Sequence, residues 1–99
     1  PALRIVSTLV GQFRMRLWIK LMLESGVKDE REIAKAADLG NPKQLYFLQK
    51  ELTTVSLNQL QRSLPILLDL EFSLKRSADE ILILQTKVIE LCELFRSRS

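Results

Sequence analysis

Residues 32–51 read EIAKAADLGNPKQLYFLQKE: a short helical run, a corner rich in turn formers, then a second helical run. This is the outline of a helix-turn-helix. Asn41 caps the second run, and Pro42 takes its first position, where the missing N–H of proline costs nothing. Two functions suit such a corner. Either its second helix enters a DNA groove, or the corner is one packed piece of an all-helical interaction module.

Outward from it, every break in the sequence is a helix boundary, and no stretch alternates with period two for long enough to make a strand. Residues 2–25 form a long helix closed by Ser25 and Gly26, a normal stop signal. Asp29, with Glu32 three residues on, opens a helix over residues 30–38. Ser56 with Gln59 opens a fourth, and Ser77 with Glu80 opens a fifth that runs to about Arg96. Five helices on short connections predict a compact all-α bundle of antiparallel or angled neighbours around one core. Pro65 falls inside the fourth helix, where it removes a backbone hydrogen bond and clashes with the carbonyl four residues back. A kink near Leu64, or a break into two shorter helices, is expected.

Length and composition fit one such bundle. A chain of 99 residues makes a single domain, and one this size buries about 60 to 65% of its unfolded surface. Hydrophobic residues are 46% and charged residues 27%, with three glycines and three prolines, which excludes disordered and fibrous classes. The chain begins at Pro1 and runs straight into a helical pattern, so residues 1–99 are read as one domain cut from a longer protein.

Several chemistries are excluded. The single cysteine, Cys92, cannot form an internal disulfide, and with no histidine a metal site would need carboxylates and one thiol, an improbable set. Cys92 lies on an apolar helical face and is expected to be a core thiol. No uncharged run approaches the roughly 18 to 20 residues of a membrane span, and no signal-peptide pattern is present. A reducing cytoplasm fits best. There is no general base of the histidine type, no glycine-rich phosphate loop and no serine or cysteine beside a base. Asp69 and Glu71, two apart on a helix, point about 200° apart and form no carboxylate pair. Asp79 and Glu80 are first-turn acids facing the positive end of a helix. No catalytic residue, cofactor or metal ligand is expected.

The first helix is the most informative about function. Leu3, Val6, Val10, Phe13, Leu17 and Leu21 fall on one stripe, whereas Met15, Trp18, Ile19 and Met22 fall nearly opposite. A helix apolar on both sides must be covered on both sides. It either runs through the middle of the bundle or turns one side to another protein, and Arg14, Arg16 and Trp18 are of types enriched at interface hot spots. The fifth helix shows a similar excess. Ile81, Leu84, Val88, Leu91 and Phe95 make the expected core stripe, and Leu82, Ile83, Ile89, Cys92 and Leu94 widen it beyond one face.

Charge argues against the DNA reading of the corner. Lys43, Gln44 and Lys50 are the side chains that would face a groove, but residues 29–52 hold four basic and five acidic groups, a balance of −1. That is the wrong sign for a surface meeting phosphates. Tyr46 and Phe47 read better as packing residues than as stacking platforms. The net charge of the whole chain, +3, resides on residues 1–25, where Arg4, Arg14, Arg16 and Lys20 face only Glu24.

The succession of segments resembles a known family. LVGQFRMRLWIKLMLESG, then EIAKAADLGNPKQLYFLQKELTTVSLNQL, then LPILLDLEFSLKRSADEILILQTKVIELC is similar in order to the C-terminal domain of the delta subunit of the bacterial DNA polymerase III clamp loader. The residues that carry the likeness are Gln12, Phe13 and Arg14; Glu32, Ile33 and Ala34; Pro42; Ser56, Gln59 and Leu60; and Asp69, Leu74 and Lys75. It spans essentially the whole chain, although Pro65 has no obvious counterpart and Ser77 stands where the family has a glycine.

The resemblance implies an all-helical collar domain, which assembles and performs no chemistry. Its partners would be the tau or gamma ATPase subunits and delta-prime, in a five-membered ring. The sliding clamp and DNA would be reached only through the parent protein or the assembled complex. On this reading Arg14, Trp18, Met22, Ile83 and Leu94 are the expected partner-binding residues. The alternatives are a small DNA-binding helix-turn-helix and a homodimeric helical adaptor.

Overall fold

The five helices, the first excepted, begin where a side chain takes over backbone N–H groups that a helix terminus leaves unpaired. In the computed structural model, which describes residues 1–76 and 79–96, these are α1 (Ala2–Glu24), α2 (Glu30–Ala36), α3 (Lys43–Leu52), α4 (Leu57–Arg76) and α5 (Glu80–Arg96). Among the described residues there is no strand, so the expected all-α, five-helix architecture is the one observed.

The caps follow the sequence closely. Helix α1 ends with Gly26 at φ 87°, its N–H donating to the Leu23 carbonyl (3.1 Å) while the Val27 N–H reaches Met22 (3.0 Å). This is the paired closure that a left-handed residue permits. The Asp29 carboxylate opens α2 by accepting from the Arg31 N–H at 3.0 Å. Asn41 does the same for α3 through the Lys43 N–H at 3.0 Å. At the start of α4 the box is reciprocal. The Gln59 N–H donates to Ser56 Oγ (3.0 Å) and the Ser56 N–H to Gln59 Oε1 (2.9 Å). Helix α5 is capped by Asp79, whose Oδ1 accepts from the Leu82 N–H at 3.2 Å. Ser77, the expected cap, lies outside the described residues.

Two local expectations are corrected: α2 ends at Ala36, short of residue 38, and α4 is not divided into two helices at Pro65. The residue that turns the chain out of α2 is Asp38, at φ 57°. Its N–H meets the Lys35 carbonyl (3.2 Å) and the Leu39 N–H meets Ala34 (2.9 Å), so an aspartate occupies the position glycine usually takes. Second, α4 runs unbroken through Pro65. Pro65 and Gln61, four residues before it, are both exposed, so the carbonyl that loses its partner is on the solvent side of the helix and no break is needed.

Helix α4 is the centre of the assembly. Ser7 meets Glu71, and Ile19 shares a cluster with Leu60, so α1 runs antiparallel along one side of α4. Lys87 meets Asp69 and Leu94 meets Gln59, so α5 runs antiparallel along the other. Helices α1 and α5 are therefore parallel to each other, and Phe13 and Phe95 touch edge to face across them, centroids 5.9 Å apart. Helices α2 and α3 cover the C-terminal half of α1.

This arrangement makes two apolar clusters. Val6 and Val10 pack with Leu67, Leu70 and Leu74, while Ile19 packs with Ile33, Ala37, Leu45, Leu48, Leu52 and Leu60. Helix α1 is thus buried on one side in its first half and on the other side in its second, which resolves its two apolar stripes. Among the described residues Ser63 and Gln59 are the buried polar ones, and no buried side-chain polar atom lacks a hydrogen bond.

The body measures 45 × 30 × 18 Å. Apolar residues that a thicker bundle would bury remain at the surface.

Candidate interaction surfaces

Helix α5 departs furthest from expectation. Of its apolar residues only Leu94 is buried, whereas Ile81 is 70% exposed and Leu82, Val88 and Ile89 are half exposed or more. The expected core stripe is therefore split. Leu84 and Leu91 pack on the α1–α4 cluster and Phe95 on the other, but Ile81 and Val88 face outward. Cys92, expected in the core, is exposed. The main neighbour, α4, covers the face on which Ile83, Lys87, Leu91 and Leu94 lie.

The five expected partner-binding residues separate. Arg14 and Trp18 are exposed, Trp18 by 52%. Met22 is half buried against the cluster around Ile19, and Ile83 against the cluster around Leu67. Leu94 is 8% exposed, and its carbonyl accepts from Gln59 Nε2 at 3.1 Å. Leu94 is a core residue and is withdrawn as a contact. Arg16, also of a hot-spot type, is held within the chain. Its Nε and Nη2 each lie 3.3 Å from the Glu51 carboxylate, and Nη1 donates to the Gln12 side chain at 2.9 Å. An exposed pair of this kind contributes about 0 to 1 kcal/mol, but its fork ties α1 to α3. Lys20 reinforces the join, its Nζ donating to the Leu52 carbonyl at 2.7 Å at the end of α3.

On the corner, Tyr46 and Phe47 are not packing residues. Phe47 is 69% exposed and Tyr46 more than half, the two rings meet edge to face at 5.4 Å, and Lys50 Nζ lies 4.6 Å above the Tyr46 ring. Lys43 and Gln44 are exposed beside them. Since Arg16 engages Glu51, the outward side of α3 is less acidic than the count over residues 29–52 implies.

A cleft of about 330 Å³ lies where α1, the α3–α4 connection and the end of α5 converge, lined by Leu9, Phe13, Val55, Leu60 and Phe95 together with the Arg16–Glu51 pair. Lys87 pairs with Asp69 across the α4–α5 seam and with Glu90 on its own helix. The hydrogen bond that Lys87 donates to Asp69 raises the lysine pKa above its ordinary 10.5, with burial acting in the opposite sense.

Among the described residues no helix is long and apolar enough to cross a membrane, and no cluster of three or more His, Cys, Asp or Glu side chains is placed to hold a metal. No protein-family profile, curated protein or solved structure matches the chain.

The exposed apolar residues Ile5, Leu68 and Phe72 were not singled out from the sequence. Leu68 and Phe72 stand four apart, on the side of α4 away from Leu67, Leu70 and Leu74. Helical spacing alone held that signal.

Proposed function

We propose that the chain is an assembly domain: the collar module of a clamp-loader subunit of the DNA polymerase III delta type, holding that subunit in its ring. The observation that carries the assembly reading is the outward face of α5. Ile81, Leu82, Val88 and Ile89 are exposed on a helix already packed against α4 by its other side. Such a contiguous apolar surface marks a place where another protein docks. The resemblance of the successive segments to the delta C-terminal domain supplies the identity of the partners, the tau or gamma ATPase subunits and delta-prime. Clamp and DNA then belong to the parent protein and the complex, and the working compartment is the cytoplasm.

The test is sizing combined with pull-down of the 99-residue chain mixed with the C-terminal domains of the ATPase and delta-prime subunits at moderate salt. A discrete larger complex is expected. It is lost when Ile81 and Ile89 are both changed to lysine, while the helical content stays constant.

A second reading has one observation in its favour. The exposed Tyr46 and Phe47, with Lys43 and Lys50 beside them, form a surface on which bases can stack and phosphates be met. If the chain stays alone in the mixing experiment and instead binds DNA with a steep dependence on salt, this reading replaces the first. A chain whose mass rises with its own concentration is the homodimeric adaptor.

A further inference from the structure

On α1 the residues Arg4, Ser7, Gly11, Arg14 and Trp18 follow one another at intervals of three and four, and all are exposed. On α4 the residues Leu68, Glu71 and Lys75 follow the same rule, with Leu68 and Lys75 exposed. The hydrogen bond from Ser7 Oγ to Glu71 Oε2, 2.7 Å long, joins the two rows, so they make one surface. Because the helices are antiparallel, Arg4 and Lys75 share one end of it and Arg14 and Trp18 extend to the other. From position 4 to position 18 it runs about 21 Å at 1.5 Å per residue.

Charge and shape identify what fits there. None of Arg4, Arg14 and Lys75 has an ion pair among the described residues, whereas the carboxylate of the surface, Glu71, is engaged by Ser7. The surplus is positive. Three cations spread over this length around exposed Leu68 and Trp18, with a carboxylate at the centre, suit an acidic protein surface better than a phosphate backbone. Gly11 adds to the argument. A glycine inside a helix costs about 0.5 to 1 kcal/mol relative to alanine, yet a Cβ built at Gly11 meets nothing within 4 Å. No contact among the described residues requires the glycine, and a position without a side chain leaves room for a second backbone to come close.

We propose that this α1–α4 face receives an amphipathic helix of a partner chain, with small and apolar residues along its contact edge and carboxylates on its flanks. The carboxylates meet Arg4 and Lys75 at one end and Arg14 at the other, while Trp18 and Leu68 supply the apolar contact. The proposal rests on the assembly reading, but it assigns a face separate from the outward side of α5 and a chemistry to what covers it.

The experiment measures the affinity of the 99-residue chain for the C-terminal domains of the ATPase and delta-prime subunits, each taken singly. Four forms are compared: the unaltered chain, the double reversal Arg4→Glu with Arg14→Glu, Trp18→Ala, and Lys43→Glu as a control on α3. For one of the two partners, the double reversal is expected to weaken binding by about a hundredfold and Trp18→Ala by about tenfold. Lys43→Glu has no effect, and all four forms melt alike because the altered side chains are exposed. A complex whose affinity ignores the double reversal overturns this face and leaves the assembly reading standing. No complex with the unaltered chain overturns both. Duplex DNA binding that the double reversal abolishes overturns the acidic-helix occupant.

Discussion

The side-chain amide of Gln59 reaches across the seam between α4 and α5 to the carbonyl of Leu94, 3.1 Å away, while its carbonyl oxygen holds the Ser56 N–H at the start of α4. One buried side chain thus closes a helix terminus and fastens the last helix. Gln59→Ala removes both hydrogen bonds, each worth about 0.5 to 1.5 kcal/mol. A loss of about 1 to 3 kcal/mol is expected, measured as a shift in the urea midpoint. Ser56→Ala, which removes only the cap, costs about 1 kcal/mol.

Asp38 predicts a gain. An L-residue in the left-handed region is strained, and a carboxylate at the C-terminal end of α2 faces the negative end of the helix. Asp38→Gly relieves both, against the greater freedom of glycine in the unfolded chain. The variant is expected to be more stable by about 0.5 to 1 kcal/mol, seen as a higher melting temperature with α-helical circular dichroism unchanged.

Trp18 and Ile19 are adjacent in sequence and opposite in role. Ile19 is fully buried among residues of α2, α3 and α4, so Ile19→Ala leaves a cavity and costs about 2 to 5 kcal/mol. Trp18→Ala, on the exposed side, is expected to change stability by less than about 1 kcal/mol. Equal losses in thermal unfolding would show that Trp18 is a packing residue.

The Lys87–Asp69 pair predicts a particular response to alkali. The lysine pKa is raised in the folded chain, first by the hydrogen bond it donates to Asp69. Its contribution is therefore complete below the ordinary lysine value of 10.5 and is lost as pH climbs through the raised value. Lys87→Met, which keeps the apolar stem, is less stable than the unaltered chain at neutral pH, and the difference shrinks above 10.5. With Asp69 half exposed, solvent holds the effect to about 1 kcal/mol or less. Urea midpoints of both forms at the two pH values measure it.

Helix boundaries were legible because they are set locally. The Ser56–Gln59 box, the Asn41 cap and the Gly26 closure each depend on residues within a few positions of one another. What covers a helix is not local. The spacing of Ile81, Leu84, Val88, Leu91 and Phe95 correctly marks a helix but cannot state how many neighbours it has, and with α4 as its main neighbour Ile81 and Val88 stay outside. Cys92 was misplaced for the same reason, and Leu94 in the opposite sense. On α1 the sequence showed two apolar stripes without showing that they are used at different ends. Of the expected contact residues Arg14 and Trp18 remain exposed, since α2 and α3 reach Met22 and Ile19 but leave Trp18 uncovered.

The two apolar clusters share α1 as a common rail, and Phe13, which packs against both, joins them. Helices α2 and α3 contribute only to the cluster around Ile19, and the cluster around Val6 draws on α1, α4 and α5. Opening of the corner would leave the contacts around Val6 in place, so amide protons of α2 and α3 are expected to exchange through a cheaper, local opening than those of α4. On that expectation, a fold that looks like one bundle behaves as a core with a hinged flap.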